Sequence, residues 1–286
     1  MAERTLGAYV LPGDPVWLAR TLPQYYSMLT ALSVPVPADG LSWTGRPLPV
    51  DETLAIIDAC DTRGLADRFE GRWTNVDRPR DAGTAQRQAA LNRVGDGVDW
   101  VLQIDNDELL PHPEVLGSVL DEADRVGAIA VEWPMRVLYR RTRRTVLEVV
   151  ASNGAPVYDY PGPIAVRPGA TLTEARRAAG PLLRVAVHGD DQSLQITRPA
   201  EPQEFRATLL QPEHAILHNS WARHPRDVWR KVTSSGHSRD FGLARYYVTR
   251  WLSSPLTWRA QRDVHPFSSG LWPALAPREN AGVYAD

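Results

Sequence analysis

The sequence predicts an α/β fold: a Rossmann-like, mostly parallel central sheet flanked by helices, followed by a less regular C-terminal half. Three observations predict it. Short apolar runs alternate with helical segments through the first half of the chain, the pattern of strands joined by crossover helices. One of these runs, Trp100 to Ile104, ends abruptly in Asp105-Asn106-Asp107-Glu108, as a buried strand does when it delivers polar groups to the carboxyl edge of a sheet. The 286 residues, 43% hydrophobic and 23% charged, have the length and composition of a globular domain with an ample core.

Gly7 to Leu11 is the first predicted strand. Pro12-Gly13-Asp14-Pro15 turns the chain; Asp14 is suited to cap a helix and Pro15 to open it, and that helix is predicted to run from Pro15 to about Leu32. Ser33 to Val50, rich in proline and glycine, reads as a long loop. Thr53 to Ile57, ending in Asp58, reads as a second strand, and Arg72 to Val76 as a third. A helix over Thr84 to Val94 and a turn over Gly95 to Asp99 lead into the central strand, Trp100 to Ile104. Pro113 to Val126 reads as a helix closed by Gly127, and Ala128 to Trp133 as a strand. Val146 to Val150 forms a predicted hairpin with the charged run before it. Pro161 to Gly169 and Leu182 to His188 each hold a short strand, and Pro225 to about Ser234 is a helix. The expected organisation is one domain: residues 1–135 as one half, 136–240 as the other, and 241–286 as an aromatic-rich tail.

Bulk properties exclude several classes. A net charge of −2 gives no electrostatic case for nucleic acid. Cys60 is the one cysteine, so no intramolecular disulfide and no cysteine-based zinc site can form. The start of the chain lacks an apolar signal core and no apolar run is long enough to cross a bilayer, so the expected location is cytoplasmic. Lys231 is the one lysine, so phosphate contacts are expected to be arginine forks.

The acidic turn after the central strand carries the chemistry. Asp105 and Asp107 lie two apart, so in an extended segment they point to the same side. Hard cations such as Mg²⁺ and Mn²⁺ prefer oxygen and are often shared between carboxylates and substrate phosphates. The pair therefore suggests a metal–diphosphate site; the alternative is a solvated turn that leads into the helix at Pro113.

Three features stand in order: Ile56-Ile57-Asp58; Gly83-Thr-Ala-Gln-Arg87-Gln-Ala-Ala-Leu91, a helix with an arginine near its start; and Trp100 to Glu108. This order resembles the nucleotide-binding half of the family 2-like glycosyltransferases of GT-A fold over roughly residues 6–135. The chain departs from the pattern where the usual D-x-x-S-T-D turn reads Asp58-Ala-Cys-Asp61-Thr-Arg. A fainter likeness continues in Ile164-Ala-Val-Arg167-Pro168, in Leu217-His218-Asn-Ser-Trp221, and in His224 to Lys231 followed by Gly236-His237. The resemblance implies a sugar transferase using a nucleotide-sugar donor and Mn²⁺ or Mg²⁺. It implies that Asp58 and Asp105 contact the base or ribose side of the donor, that Asp107 ligates the metal, and that His218 completes the metal shell; the alternative for His218 is a packed, hydrogen-bonded histidine at the end of a strand. Arg87 is a candidate phosphate fork, with a surface or helix-terminal role as the alternative.

An inverting transfer needs a general base near the acceptor hydroxyl. Candidates are Asp190 and Asp191, in the loop after Leu182 to His188, and Asp159, with a solvated loop carboxylate as the alternative for each. The acceptor is expected to be a glycan, a lipid-linked molecule or a small molecule, bound by the second half. The run Arg136 to Arg144 is a candidate contact for an anionic acceptor or a peripheral membrane surface. The aromatic tail is a candidate to line the acceptor site or seal a homodimer, with core packing as the alternative. Two rival functions remain: a metal-dependent nucleotidyltransferase, against which the lack of a glycine-rich phosphate loop near the N-terminus counts, and a non-catalytic nucleotide- or glycan-binding relative.

Overall fold

A computed structural model describes residues 4–236 and 242–285. The first half builds β1 (Leu6–Tyr9), α1 (Leu18–Tyr26), β2 (Leu29–Pro37), α2 (Val50–Cys60), β3 (Ala66–Gly71), α3 (Pro79–Val94) and β4 (Trp100–Leu102). Then follow β5 (Glu108–Leu109), α4 (Leu116–Val126), β6 (Ala130–Glu132), the hairpin β7 (Met135–Arg141) and β8 (Thr145–Val150), and β9 (Pro163–Val166). The chain continues through β10 (Leu172–Glu174), β11 (Arg177–Ala178), β12 (Leu182–Val187), α5 (Leu194–Thr197), β13 (Glu204–Leu210), β14 (Ile216–His218) and α6 (Pro225–Ser234). It closes with α7 (Leu243–Tyr246), α8 (Ser254–Thr257) and β15 (Ala274–Glu279).

The main sheet has eight strands in the order β13-β12-β6-β9-β4-β1-β2-β3. Its pairings are parallel except at β9, which runs antiparallel to both β4 and β6. The mostly parallel α/β sheet predicted from the sequence is the one observed. Alternation along each strand serves two faces. Leu6, Ala8 and Val10, with Trp100, Leu102 and Ile104, join the core beneath α1 and α4. Tyr9 and Val101 face the other way, against Ala90 and Leu91 of α3. Helix α4 shows why it packs there: Leu116, Val119, Leu120 and Ala123 recur at helical spacing and are fully buried. Gly127 closes it in the left-handed conformation (φ 71°), as expected.

A second, five-stranded sheet, β15-β8-β7-β14-β5, packs Val137, Tyr139, Leu147 and Val149 against Val228 and Val232 of α6 and against Trp251 and Trp272. Trp251 donates its indole N–H to the Tyr139 carbonyl at 2.8 Å. These tail aromatics are core. Part of the basic run is internal too: Arg136 forks onto Glu148 (2.5 and 2.9 Å), Arg141 donates to the Ala222 carbonyl (3.0 Å), and the Arg140 guanidinium lies 3.9 Å from the Trp251 ring centre, whereas Arg143 and Arg144 are exposed between β7 and β8.

Several boundaries differ from expectation. Thr53 to Ile57 lies in α2, not in a strand. A five-residue apolar run fits either, and here Asp51 and Glu52 in the first turn favour the helix. The first helix starts at Leu18 and ends at Tyr26, and Leu29–Pro37 is a strand where helix and loop were expected. Its prolines are tolerated because β1 pairs only as far as Ser33. At Pro35 and Pro37 the side where an N–H would point has no partner strand. The third strand is Ala66–Gly71, ahead of the expected Arg72 to Val76, and α3 begins at Pro79, ahead of Thr84. Among the described residues no helix is long and apolar enough to cross a membrane.

Candidate functional site

The strand order places the site. From β1 the chain steps through β2 to β3 on one side, then returns over α3 to β4 on the other side of β1. Connections leave the carboxyl ends of β1 and β4 in opposite directions, and the crevice between such ends is where open α/β sheets bind ligands. A cavity of about 370 Å³ opens there. Its walls are the Leu11–Asp14 turn after β1, Trp43, the Gly83–Arg87 face of α3, the Asp105–Glu108 turn after β4, the Glu174–Arg176 turn between β10 and β11, and His218, Ser220, Arg223, Asp227, Arg230 and Lys231 from β14 to α6.

The acidic turn is pinned from three sides. Asn106 donates its amide to the carbonyls of Leu11 (3.0 Å) and Asp14 (2.8 Å), which locks the two turns together. Glu108 is buried, accepts the Asp105 N–H (3.0 Å), and takes a two-pronged contact from Arg176 (2.6 and 2.6 Å). Asp105 is left with its side chain one-third exposed to the cavity. Arg87 donates to its Oδ1 at 3.0 Å, and Arg176 lies 3.9 Å from its Oδ2. Burial pushes the Asp105 carboxyl up, but the Arg87 and Arg176 guanidinium groups outweigh it and hold it below its usual range. Arg87 in turn lies over the Trp43 ring, 5.1 Å from its centre, and Trp43 donates to Gln86 at 2.7 Å.

Asp107 is nearly fully buried, and one of its oxygens, Oδ2, is crowded. It accepts from Ser220 Oγ (2.8 Å) and from the Lys231 ammonium, and Arg223 Nη2 lies 2.8 Å away. Arg223 is itself buried, with Nη1 on Asp14 at 2.5 Å and Nε on the Asn219 carbonyl at 2.8 Å. His218 Nε2 is 3.7 Å from the same Asp107 oxygen and 2.6 Å from Ser220 Oγ, while its Nδ1 is buried without a partner. Burial raises the Asp107 carboxyl pKa, yet Lys231, Arg223 and His218 together hold it well below the usual carboxylate range.

The fold thus brings Arg87, Asp105, Asp107 and His218 to one cavity. Asp58, Asp190 and Asp191 are not among its lining residues. Asp58 lies on the exposed face of α2, where the expected strand end is helix, and pairs with Arg68 of β3. Asp190 shapes a turn: its Oδ1 accepts from the N–H (3.0 Å) and hydroxyl (2.8 Å) of Ser193, ahead of α5. Asp191 is exposed beside Gln192 (2.8 Å). Asp159 accepts from the Trp272 indole (3.0 Å) inside the second core. His237 lies outside the described residues.

A divalent cation needs ligand lone pairs that are not already given to cations. Asp107 Oδ2 is held by an ammonium, a guanidinium and a hydroxyl, and among the described residues no group of three or more His, Cys, Asp or Glu is placed to hold a metal ion. The expected Asp107–His218 ligand set does not fit a metal centre in this arrangement. Lys231, Arg223, Arg176 and Trp43 are site residues that sequence reasoning did not single out. The available signals were for Lys231: it is the lone lysine in a chain that otherwise uses arginine, and it ends the His224 to Lys231 stretch of the resemblance.

No known family matches the chain, and no curated protein does. Among solved structures, the chain is similar to 4-diphosphocytidyl-2C-methyl-D-erythritol synthase from Anaerococcus prevotii, at 12% identity and a TM-score of 0.32, over 57% of this chain and 70% of that one. It is also similar to CMP:2-keto-3-deoxy-manno-octonic acid synthetase complexed with CTP, at 10% identity and a TM-score of 0.29, over 51% and 62%.

Proposed function

We propose that the chain is a glycosyltransferase that moves a sugar from a nucleotide-sugar donor to a hydroxyl acceptor. The observation that carries this reading is that one cavity brings together Asp105, its partner Arg87 stacked on Trp43, and the cations Arg223, Arg230 and Lys231. A carboxylate kept ionised and partly open accepts hydrogen bonds from sugar hydroxyls, and an aromatic wall suits a base. A group of cations suits a diphosphate.

In the reaction the acceptor oxygen attacks the anomeric carbon of the donor. The bond from that carbon to the diphosphate oxygen breaks, and the diphosphate leaves with the electron pair. Charge grows on the leaving group, and preorganised cations at that point lower the barrier. The acceptor proton passes to a carboxylate facing the cavity. Asp14 and Asp227 are held closely by Arg223 (2.5 Å) and Arg230 (3.1 Å), which leaves Glu174, half exposed and 4.0 Å from Arg80, as the candidate.

The test is incubation with UDP-, GDP-, CDP- and dTDP-sugars, followed by assay for free nucleoside diphosphate and mass analysis of any glycosylated or hydrolysed product. Nucleoside diphosphate release supports the reading. Pyrophosphate release from a nucleoside triphosphate would instead establish a nucleotidyltransferase, and binding without turnover would establish a non-catalytic relative.

A further inference from the structure

Every acidic side chain lining the cavity already has a cation. Asp14 and Asp107 share Arg223, and Asp107 also holds Lys231. Asp105 has Arg87, Glu108 has Arg176, Glu174 has Arg80, and Asp227 has Arg230. A divalent cation entering this balanced set would add positive charge beside carboxylates that are already paired. At Asp107 it would meet the Lys231 ammonium and the buried Arg223 guanidinium together, and like charges at that range oppose its entry. An entering anion meets the opposite situation. Lys231 is anchored on α6 by the buried Val228 and Val232 and has a side chain one-third exposed at the cavity. Its ammonium carries three donors, enough to keep Asp107 and Ser220 (2.9 Å) while turning one towards a phosphate oxygen.

We propose that Lys231, backed by Arg223 through their shared Asp107 oxygen, binds the donor diphosphate in the place a divalent cation would take, so that donor binding is independent of metal. The inference rests on the nucleotide-sugar reading above and specifies how its leaving group is held. Lys231 touches the ligand. Arg223 is a positioning residue: with Asp14 and Asp107 it fixes the carboxylate that aims the ammonium.

The full chain is titrated by calorimetry with UDP, GDP, CDP and dTDP, once in EDTA and once with Mn²⁺. The expected result is that one nucleoside diphosphate binds with equal affinity in both. Lys231→Met should then weaken it about 10–100-fold, the size of a lost charge-assisted contact, and Lys231→Arg should restore most of the loss. Thermal denaturation of both variants without ligand keeps folding apart from binding: a variant as stable as the parent that binds weakly supports the inference. Binding seen only with Mn²⁺ overturns it and leaves the glycosyltransferase reading standing. Tight binding by Lys231→Met in EDTA also overturns it. If no nucleoside diphosphate binds under either condition, the donor reading itself falls and takes this inference with it.

Discussion

Asp107 holds two cations on one oxygen, so its removal reaches the fold as well as any ligand. Asp107→Asn leaves the buried Arg223 with Asp14 alone and Lys231 with no carboxylate. Breaking a buried ion pair by removing one partner costs about 3–5 kcal/mol, and thermal denaturation of the variant should show a loss of that order. A metal ligand facing solvent would show little loss, so the measurement separates the two roles. The pH dependence follows from the same contacts. The Asp107 carboxyl titrates well below the unfolded value of about 3.9, so its contribution is complete above that pH and is lost as pH falls through the folded value. Acid unfolding below about pH 4 should therefore be steeper in the parent than in Asp107→Asn. Asp190 supplies a contrast. Its Oδ1 caps the turn at Ser193 and it lies outside the cavity lining, so Asp190→Asn should lower stability by about 1 kcal/mol, as loss of a capping carboxylate does, and leave sugar transfer at the parental rate. A transfer rate that falls with stability unchanged would return Asp190 to the role of base.

Among the elements, α4 and its glycine show what the sequence made legible. Four apolar residues at helical spacing and a glycine close gave the helix and its end, although Pro113 opens a 3-10 turn and the α-helix itself starts at Leu116; Gly127 adopts φ 71° with no atom near where a Cβ would stand. Gly127→Ala meets backbone strain alone. The expected cost is about 1–2 kcal/mol in chemical denaturation, with nucleotide affinity unchanged. Strand β4, strand β12 and helix α6 were legible for the same reason: each has a pattern long enough, or buried enough, to exclude the other period. Helix α2 and strand β2 were not. Thr53 to Ile57 is too short to declare a period, and the prolines of β2 are permitted only because its pairing with β1 ends at Ser33, which no local pattern reveals. The site divides in the same way. Asp105, Asp107 and Arg87 sit beside strong local signals. Lys231, Arg223 and Arg176 reach the cavity from α6, from the segment after β14 and from the β10–β11 turn, by pairings far apart in sequence.

At the scale of the molecule, the expected division of residues 1–135 from 136–240 meets an interleaved architecture. Strands β9, β12 and β13 of the second half complete the main sheet that β1 to β4 and β6 begin, and β5, from the first half, is an edge strand of the second sheet beside β14. Strand β9 lies between β4 and β6, so the central strand of the first half has its second neighbour only when the second half is present. The cavity repeats the arrangement: Asp105 and Asp107 come from one half, and Arg176, Arg223 and Lys231, which balance them, come from the other. A fragment of residues 1–135 would expose the paired edge of Val101 and Leu102 and leave the Asp105–Glu108 turn with Arg87 as its one remaining cation. Unpaired edges and uncompensated buried carboxylates both oppose folding. The expected outcome is that this fragment is aggregated or largely unfolded by circular dichroism and size exclusion and binds no nucleoside diphosphate. The full chain, by contrast, should unfold in urea with coincident transitions by tryptophan fluorescence, which reports Trp100 and Trp133 in one core and Trp251 in the other, and by far-ultraviolet dichroism. A soluble 1–135 fragment with a native-like spectrum and nucleotide affinity would show instead that the first half is a self-sufficient donor module and that the cations from the second half are dispensable for binding.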